Sequence, residues 1–580
     1  MKSACPLDCY DACAVIYEDG KLKGDPNHPF TKGFLCPSLN GFLKQDRILS
    51  PSFNKKEISM DEALEILSST LKANQDKKSL LFRGSGNFGK MQDVTNVFFE
   101  KYGSIFTRGS ICDGAGHNGI VQGRGANFAL PISQIKKSEV VVVWGRDVSV
   151  CNSHMMDVIK DKILIVIDPV KTKIAKIAHI HLQLKPRSDF FLAILLARFA
   201  HMEEMEDWDF INEHCEDYDY FCDFYQGFGI KKLIEKIDVG VDDILTTLMF
   251  FRDMKVSILV GVGVQKYTHG SEVLRAIDSF FAMVGLFGKE GCGVSYLGDS
   301  SYGFSNPFQT KAKTTPKPIV DFGEFETVFI QGANPISQMP SSNKVQEGLK
   351  KSSFVVYFGL YENESSKMAD LIIPAKTFLE KEDLRFSYGS EYIFNMPKIL
   401  ESDVGISEYE LAKYLHKSFG YENLKCEDEY INEILSSNSK EIDGYLHSAS
   451  FDGAPYFKGF YTDSGKFIFM DEVCGEDDLI NDDGYYLITS KYRYSINSQF
   501  KRDNYLYISA SCGFDDGDMV EASSIYGKKV FEVKISEDLR DDIVKICSGT
   551  LGVNFLTSFK KSVDGDSAVL QEVKINIKKV

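Results

Sequence analysis

The 580-residue sequence predicts an α/β multidomain protein that begins with a metal-binding segment and ends with a small β-barrel. Three observations support this fold class. Four cysteines lie within the first 36 residues, apolar β-type runs alternate with helical patterns through the middle of the chain, and short β-type runs separated by turns follow Tyr485. One hydrophobic core seldom organises so long a chain, so several domains are expected.

Cys5, Cys9, Cys13 and Cys36 form a triplet with a fourth cysteine that returns 23 residues after Cys13. The triplet lies in the run CPLDCYDAC, which begins at residue 5. Four thiolates in this arrangement are typical of a 4Fe–4S cluster. A structural zinc site is the alternative, but zinc sites favour two closely spaced pairs of cysteines. The pattern therefore predicts a redox protein.

Composition narrows the class of protein further. The net charge of −17 argues against a nucleic-acid partner. No apolar run approaches the length of a membrane span, and Cys5 leaves little room for a leader before it. The 13 cysteines indicate thiolates and metal ligands rather than disulfides, so we expect a cytoplasmic protein with no direct membrane span.

Apolar runs and helical patterns alternate between residues 59 and 374. Ser59 and Glu62 have the spacing of a capping box, and helical patterns at 189–201 and 271–287 separate some of the strands. Residues 306–318 carry three lysines and three prolines and are expected to form an exposed loop. The alternation predicts parallel sheets flanked by helices, with strands at Ser79–Phe82, Ser104–Thr107, Val140–Trp144, Ile163–Ile167, Val256–Val260, Thr327–Ile330, Phe354–Phe358 and Leu371–Ile373.

A glycine-rich segment at residues 83–89 follows one of these strands. Its Gly84 and Gly86 fit the spacing G-x-G-x-x-G, in which glycines let the backbone approach a phosphate. A nicotinamide site would also need an acidic residue after the next strand, where Arg108 stands instead. A phosphate cradle and a plain tight turn both remain open for this segment.

Polar side chains follow three other predicted strands. Asp147, Asp168 and Asn334 each come shortly after a strand, where α/β sheets bind their ligands. A carboxylate at this position can accept two donors from a ribose or a guanine edge. Helix N-capping explains a single such residue more often than ligand binding does, but several in one chain, downstream of the cysteines, favour nucleotide binding.

These motifs together resemble the molybdopterin oxidoreductases of the dimethyl-sulfoxide-reductase superfamily. The similar segments occur in family order over nearly the whole chain, at residues 5–13, 25–37, 46–51, 167–169, 181–189, 331–335, 369–375, 487–500 and 552–557. The resemblance implies a cofactor of two molybdopterin guanine dinucleotides that hold one Mo or W, beside a 4Fe–4S cluster.

The resemblance also implies a division of the chain into four parts. An N-terminal iron–sulfur domain would span 1–51, with 385–480 as a candidate completing segment, and a β-barrel that caps the pterins would span 481–580. Two Rossmann-like α/β domains would lie between them, one formed by 52–109 with 324–384 and the other by 110–323.

The same resemblance assigns residues to the cofactor. Gly145, Asp147, Asp168 and Asp189 would serve one nucleotide. The other nucleotide would be served by Asn334, Glu362, Ser365 and Asp370. The barrel residues that would face the pterins are Ser498, Gln499, Asn554 and Thr557.

Cys112 is the candidate protein ligand of the Mo or W. It lies in a glycine-rich loop where the backbone can approach a bulky cofactor, and a soft thiolate suits a sulfur-coordinated metal. A buried structural cysteine is the alternative. His117 is a candidate proton shuttle or a satisfied structural histidine. Asp113 is a candidate for orienting water or substrate, and it stands where related formate dehydrogenases have a histidine, which disfavours formate as the substrate.

Two positions depart from the family pattern. Relatives carry Lys or Arg two residues after the fourth cysteine, where this chain has Ser38. They also carry Gly where this chain has Arg187, two residues before Asp189.

The expected function is therefore a molybdenum or tungsten oxidoreductase acting on a small molecule. Its cluster would exchange electrons with an electron-carrier protein or redox subunit that docks near the cysteines. Two alternatives stay open: a non-redox hydratase or hydroxyltransferase on the same scaffold, and a non-catalytic electron-transfer subunit. The identity of the substrate lies beyond the sequence.

Overall fold

The computed structural model describes residues 1–86, 88–298, 301–451, 453–473 and 484–580. Asn87 of the glycine-rich segment lies outside the described residues, as does the junction between the predicted ranges 385–480 and 481–580. Residues 299 and 300 of the predicted range 110–323 are also outside them.

The N-terminal segment forms an antiparallel sheet whose first hairpin contains three of the four cysteines. The backbone N–H of Cys5 donates to the carbonyl of Cys13 over 2.9 Å, which closes the cysteine loop between the first two strands. The strands are Lys2–Ala4, Ala14–Glu18 and Lys21–Gly24.

A second antiparallel sheet packs against this segment. The ring of His28 lies 4.4 Å from that of Tyr392, and the Tyr445 hydroxyl donates to Asp25 over 3.0 Å. The two regions therefore share one buried cluster. The strands are Asp383–Phe386, Tyr392–Met396, Tyr445–Ser448 and Ser439–Ile442, in this spatial order.

The largest sheet is parallel except at one edge. Its strands are continuous apolar runs because helices cover both faces. Its order within the described residues is Thr314–Pro316, Ile105–Arg108, Ser79–Arg83, Thr327–Gln331, Phe354–Gly359 and Leu371–Pro374, followed by the antiparallel pair Ser52–Phe53 and Lys56–Glu57. Residues 314–316, which were expected in an exposed loop, pair in register with Phe106, Thr107 and Arg108.

A further sheet is parallel in all its described pairs. The strands Val140–Trp144 and Val256–Val260 lie side by side and are fully buried. From edge to edge the order is Ile180–Leu182, Ile163–Ile167, Val140–Trp144, Val256–Val260 and Gly293–Ser295.

Helices flank these sheets, and their ends follow local sequence chemistry. The Ser59 hydroxyl accepts from the Glu62 N–H while the Glu62 carboxylate accepts from the Ser59 N–H, so the predicted capping box is confirmed. The α-helices described are Pro37–Asn40, Met60–Ala73, Thr95–Tyr102, Gly114–Arg124, Ile132–Lys137, Val148–Cys151, Met155–Ile159, Asp189–Met202, Trp208–His214, Tyr218–Gln226, Ile230–Ile237, Val241–Asp253, Gly270–Met283, Pro335–Gln338, Ser342–Lys351, Glu408–Phe419 and Glu427–Asn438.

The C-terminal region closes into a barrel of six strands among the described residues. The predicted strands are present, and Lys574–Lys579, which was not predicted, closes the ring against Tyr485–Ser490 and Met519–Ser523. Around the barrel the order is Tyr485–Ser490, Ile543–Cys547, Tyr505–Ile508, Lys528–Ile535, Met519–Ser523 and Lys574–Lys579. Short ladders join Cys215–Glu216 to Phe467–Ile468 and Ser495–Ile496 to Gln499–Phe500.

The structure confirms a mixed α/β multidomain fold with a closed barrel. The boundaries of the four predicted domains remain predictions. No helix in the described part of the chain is both long enough and apolar enough to cross a membrane.

Candidate functional site

The cysteine group, which we define as Cys5, Cys9, Cys13 and Cys36, is held in place by a buried arginine. Arg385 Nη2 donates to the carbonyls of Leu7 and Cys9, each over 3.2 Å, from the strand Asp383–Phe386. The guanidinium also stacks on Phe88 at 4.3 Å from the ring centroid. Because Arg385 is fully buried, its hydrogen bonds to these carbonyls hold the cysteine loop in one conformation.

The thiols of the cysteine group lie close enough to influence one another. Burial, then repulsion from Cys36, raises the pKa of Cys5 to about 12. Burial and the negative charge of Asp11 raise the pKa of Cys9 and Cys13 well above the usual value. Four neighbouring thiolates are stable here only beside a strong positive charge, so the donor set fits a bound metal centre.

A buried carboxylate–histidine pair supports the cysteine group on one side. His154 Nδ1 lies 2.9 Å from Asp11 Oδ2 and 3.9 Å from Cys13 Sγ. Asp11 also accepts from Asn152, which in turn accepts from Arg146 over 2.5 Å. Burial lowers the pKa of His154, but the hydrogen bond with Asp11, the charge of Asp11 and the contact with the Phe34 carbonyl together outweigh burial and leave the pKa raised. Asp11, Cys13 and His154 also lie near enough together to hold a metal ion.

A cavity of about 530 Å³ lies between Asp8 and Tyr10 of the cysteine loop and residues of the barrel. We call it the main cavity. Its volume is in the range of small-molecule and cofactor sites. Of the predicted site residues, the main cavity brings together Gly84, Cys112, Gly145, Asp147, Asp168, Asp189 and Asn554.

Three carboxyl groups cluster at one end of the main cavity. Burial, then repulsion from Asp147 and Asp189, raises the pKa of Asp168 to about 7. Burial also raises the pKa of Asp189 to about 6, although Trp144 Nε1 donates to it over 2.8 Å. These buried carboxylates receive too few hydrogen bonds from the protein to stabilise their charge. The ring N–H and amino groups of a guanine would supply further hydrogen-bond donors. This end of the cavity therefore fits a guanine nucleotide.

Asp147 also caps a short helix, as the alternative interpretation of the strand ends allowed. Its Oδ1 accepts from the N–H of Ser149 over 3.1 Å and from the Ser149 hydroxyl over 2.6 Å. Asp168 Oδ1 accepts from the N–H of Val170 over 2.8 Å. Both carboxylates use Oδ1 in these contacts and both residues line the main cavity, so turn formation and ligand binding are compatible.

Cys112 lies in a loop that begins at the carboxyl end of the strand Ile105–Arg108. The Ser110 hydroxyl accepts from the N–H of Cys112 over 2.8 Å, and the side chain of Gln265 donates to the Cys112 carbonyl. Burial raises the pKa of Cys112 to about 12, whereas Lys266 and Lys491 act in the opposite direction. Its thiolate would therefore require a positively charged partner such as a metal ion.

Asp113 and His117 are near Cys112 in sequence but do not line the main cavity. Asp113 precedes the helix Gly114–Arg124, and its carbonyl accepts from the N–H of His117 over 3.0 Å. His117 Nδ1 lies 3.2 Å from Asn127 Nδ2, and the Asn127 amide donates to the Leu297 carbonyl over 2.7 Å. The catalytic roles suggested for these two residues remain predictions.

A second cavity, of about 210 Å³, lies at the carboxyl ends of neighbouring strands in the largest sheet. Asn334 and Arg502 line this cavity, and Glu364 accepts from Asn334 over 2.7 Å, from Ser337 over 2.8 Å and from Arg502 over 2.7 Å. Burial raises the pKa of Glu364, but these hydrogen bonds outweigh burial and lower the pKa to about 2. The predicted residues that line this cavity are Gly86, Asn334, Glu362, Ser498 and Gln499.

Three predicted cofactor residues lie behind the cavity walls. Ser365 Oγ donates to Asn334 Oδ1 over 2.9 Å, so it orients a residue of the second cavity. Asp370 Oδ2 accepts from the N–H of Val355 over 2.7 Å at the edge of a strand. Thr557 is fully buried and accepts from the N–H of Ser341 over 3.4 Å. Their predicted contacts with a cofactor remain predictions.

Gly84 and Gly86 allow two loops to pass close to each other. A Cβ added to Gly84 would lie 2.7 Å from the carbonyl oxygen of Gly332, and a Cβ added to Gly86 would lie 2.5 Å from the same oxygen. The N–H of Gly86 also donates to this carbonyl over 2.9 Å. These contacts explain both glycines by the close approach of two loops, and each glycine also borders a cavity, so the phosphate cradle and the tight turn both remain open.

The backbone conformation of Arg187 accounts for the glycine that the family resemblance implies at this position. Its φ of +71° is in the left-handed region, where a side chain costs about 1 kcal/mol. Arg187 Nη2 lies 3.9 Å from Glu572 Oε1, and this attraction holds the side chain. The neighbouring Asp189 still reaches the main cavity, so the substitution does not displace it.

Sequence reasoning missed several basic residues of the main cavity. Lys266, Lys317 and Lys491 line it together with Cys112. Lys317 Nζ donates to the Arg83 carbonyl over 2.7 Å, and burial lowers the pKa of this lysine to about 8. The spacing of these lysines in the sequence matches no motif that would predict a binding site. Tertiary contacts bring them to the same cavity.

Comparisons with known proteins show which proteins the chain is similar to. The chain is 28% identical over 430 residues to the probable oxidoreductase YyaE of Bacillus subtilis (strain 168), which covers 67% of this chain and 63% of that protein's length. It is 22% identical to the F420-dependent formate dehydrogenase subunit alpha of Methanocaldococcus jannaschii, over 94% of each chain.

A solved structure is similar over the full length of both chains. The acetylene hydratase from Pelobacter acetylenicus superposes with a TM-score of 0.83 at 16% sequence identity, which shows a shared fold. The sequence model of the family described as molybdopterin oxidoreductase matches residues 51–396, more than half of the chain. The protein therefore belongs to the molybdopterin oxidoreductase family of enzymes.

Proposed function

We propose that the protein is a molybdenum or tungsten oxidoreductase that carries two molybdopterin guanine dinucleotides and one 4Fe–4S cluster. One observation carries the proposal: Cys112 and the neighbours of the cysteine group, Asp8 and Cys151, line the same cavity. Cys9 Sγ donates to the carbonyl of Cys151 over 3.5 Å, so the cysteine group reaches the cavity wall. A metal on Cys112 and a cluster on the cysteine group would then be neighbours.

Each of the two cavities would bind one nucleotide of the cofactor. Asp147, Asp168 and Asp189 would accept from the guanine of one nucleotide, and Asn334 with Glu362 would hold the other. Ser498, Gln499 and Asn554 come from the barrel region and would close over the pterins. When bound, this cofactor supplies two-electron chemistry at the metal, while the cluster passes electrons singly.

The protein groups around Cys112 would orient the substrate and control its charge. Lys266 and Lys317 present ammonium groups in the wall that holds Cys112, and burial lowers the pKa of both. Ammonium groups that have lost water bind an oxygen atom of a ligand more strongly than exposed ones do. The surrounding walls would exclude water from the reacting atoms.

We also propose that an electron-carrier protein or redox subunit docks beside the cysteine group. Cys36 is partly exposed, whereas Cys5 and Cys13 are buried. Phe34, Leu43 and Leu49 are 48%, 43% and 63% exposed and flank Cys36 in sequence. Exposed apolar side chains beside a redox centre suit a transient protein partner. The cytoplasmic location remains a prediction.

A non-redox hydratase is the second candidate function. The full-length structural similarity to an acetylene hydratase favours it, although at 16% identity that similarity concerns the fold. Such an enzyme would keep the metal and the cluster yet need no electron partner. Independence from any electron donor or acceptor separates the two candidates.

Turnover with and without a redox dye tests the proposal. Metal-loaded protein is assayed with formate, nitrate and trimethylamine N-oxide, each with a viologen dye, and with acetylene and no dye. Dye-linked turnover that a Cys112→Ala variant loses is the expected result. Hydration of acetylene without a dye, in protein that shows no dye-linked turnover, contradicts the oxidoreductase proposal.

A further inference from the structure

A turn of the C-terminal region lies across the loop that contains Cys112. The turn spans residues 561–568, between the barrel strands Ile543–Cys547 and Lys574–Lys579, and we call it the clamp. Its first and last residues, Lys561 and Ala568, form an isolated antiparallel bridge. The clamp is therefore closed at its base.

The clamp holds the chain immediately before Cys112. The Ser110 N–H donates to the Asp566 carbonyl over 3.1 Å, and the Ala568 N–H donates to the Ser110 carbonyl over 3.1 Å. The Ser110 hydroxyl in turn accepts from the N–H of Cys112 over 2.8 Å. A Cβ added to Gly109 would overlap the Asp566 carbonyl oxygen, so the close approach of the two segments requires glycine there.

The clamp also contacts the chain immediately after Cys112. A Cβ added to Gly114 would overlap the carbonyl oxygen of Gly565. The side-chain amide of Gln122 donates to Asp564 Oδ2 over 3.3 Å. Both flanks of Cys112 are thus held by the same turn.

Two ion pairs at Asp566 fix the clamp to the strand that precedes Cys112. Arg108 Nε donates to Asp566 Oδ2 over 2.7 Å, and Lys561 Nζ lies 2.6 Å from Asp566 Oδ1. Burial raises the pKa of Asp566, but hydrogen bonds and attraction to Lys561 and Arg108 outweigh burial and leave the pKa lowered. Because Arg108 ends the strand Ile105–Arg108, the charged carboxylate joins the clamp to that strand.

A further contact restrains the backbone of Cys112 itself. The side chain of Gln265 donates to the Cys112 carbonyl and accepts from the N–H of Gly116 over 2.9 Å. Gln265 is fully buried, whereas the side chain of Asp566 is 17% exposed. Asp566 is therefore the restraint that can be altered without opening the protein interior.

We propose that Asp566 is a positioning residue that holds the loop of Cys112 in place to bind the Mo or W. The inference rests on the proposed function, because it takes Cys112 to be the ligand of the metal. A loop that is ordered before the metal arrives loses less conformational entropy on binding it. The region of the chain that would cover the pterins thereby also places the protein ligand of the metal.

Alkylation of Cys112 in cofactor-free protein tests this role. Protein from cells that cannot make the pterin cofactor is treated with N-ethylmaleimide at pH 8, and mass spectrometry follows the modification of each cysteine peptide. Asp566→Asn removes the charge and suits the left-handed φ of +44° at this position. Arg108→Met removes the partner, and the double variant shows whether both residues act through one ion pair.

Two references separate loss of the clamp from general loosening. Asp518→Asn is the matched control, because Asp518 lies in the same barrel region, is 23% exposed and pairs with Lys579 over 2.6 Å. Cys151 is the internal reference, since it lines the main cavity from another segment. General loosening of the protein accelerates alkylation at both cysteines, whereas loss of the clamp accelerates it at Cys112 alone.

The expected result is faster alkylation of Cys112 in the two single variants. Relative to Cys151, the rate at Cys112 should rise about fivefold in each, because a partly exposed ion pair restrains local opening by about that factor. The double variant should match Asp566→Asn, and Asp518→Asn should match the unaltered protein. An unchanged rate at Cys112 in both single variants, or an equal increase at Cys151, overturns the inference.

Metal analysis separates this inference from the proposed function. The unaltered protein is also purified from cofactor-competent cells, and its Mo and W content is measured. If it contains neither metal, the proposed function fails and the inference fails with it. If it contains one of them but the alkylation of Cys112 does not depend on Asp566 or Arg108, only the inference fails.

Discussion

Asp168→Asn should have opposite effects on the cofactor-free and the cofactor-loaded protein. In the cofactor-free protein the carboxylate faces two others across a buried cavity end, and its pKa is about 7 instead of the usual 3.8. An asparagine keeps the Oδ1 that accepts from the N–H of Val170 and removes the charge. The variant should therefore be more stable without cofactor and bind the guanine nucleotide less well.

The magnitude follows from the pKa difference between the unfolded and folded states. Because the folded pKa is raised, the folded chain binds an extra proton between about pH 4 and pH 7, and stability falls as the pH rises through this window. Above pH 7 the loss is about 4 kcal/mol at most, because each unit of difference in pKa corresponds to about 1.4 kcal/mol. The advantage of the variant should be absent at pH 4 and largest above pH 7.

The assay compares unfolding of the variant and the unaltered chain, both produced in cells that cannot make the pterin cofactor. Urea midpoints are measured at pH 4, 5, 6, 7 and 8, and guanine nucleotide content is measured separately in protein from cofactor-competent cells. A variant that is less stable at pH 8, or whose difference from the unaltered chain does not depend on pH, refutes the reasoning.

Three further substitutions test other parts of the site. Cys112→Ala should abolish turnover while the iron content stays near that of the unaltered protein, as metal analysis and activity assays will show. Arg385→Met should lose most of its iron, because two carbonyls of the cysteine loop lose their hydrogen-bond donor at a cost of about 1–3 kcal/mol each. Arg252→Met is the control, since Arg252 is exposed and donates to a carbonyl away from the cysteines. Equal iron content in the two variants contradicts the proposed role of Arg385 in holding the cysteine loop. Glu364→Gln should destabilise the protein by about 1–3 kcal/mol at pH 7, because the pKa of Glu364 is about 2 in the folded chain and 4.5 in the unfolded chain. This stabilisation is present above pH 4.5 and is lost as the pH falls toward 2. A difference in stability between the variant and the unaltered chain that persists at pH 2 contradicts this assignment.

The parallel sheets could be predicted because buried strands are continuous apolar runs. Val140–Trp144, Ile163–Ile167 and Val256–Val260 appear with the predicted bounds, since helices cover both faces of their sheet. The predicted helix at 271–287 ends instead at Met283, because Gly285 adopts a φ of +65°. Helix ends depend on single residues, and an apolar pattern can continue beyond them.

Strands with charged residues could not be predicted in the same way. The strand Lys574–Lys579 has isoleucines at 575 and 577 among lysines and an asparagine, and it pairs with Met519–Ser523 to close the barrel. The strand Asp383–Phe386 buries Arg385 and Asp383 completely. Their charges suggest an exposed segment, but contacts with residues hundreds of positions away explain their burial.

The site was partly predictable because α/β sheets place ligands at the carboxyl ends of strands. Asp147, Asp168 and Asn334 follow strands, and all border one of the two cavities. The direction of a side chain beyond a strand is set by tertiary packing. For this reason His117, which lies beside Asn127, and Lys491, which lines the main cavity, could not be placed from spacing alone.

Metal and cofactor analysis of anaerobically purified protein tests the central proposal most directly. The measurement covers Fe, acid-labile sulfide, Mo, W, Zn and released guanine nucleotide per chain. The account predicts about four Fe, one Mo or W and two guanine nucleotides, as the cluster and the two-nucleotide cofactor require. Protein from cofactor-competent cells that contains iron without Mo or W, or zinc in place of iron, would contradict it.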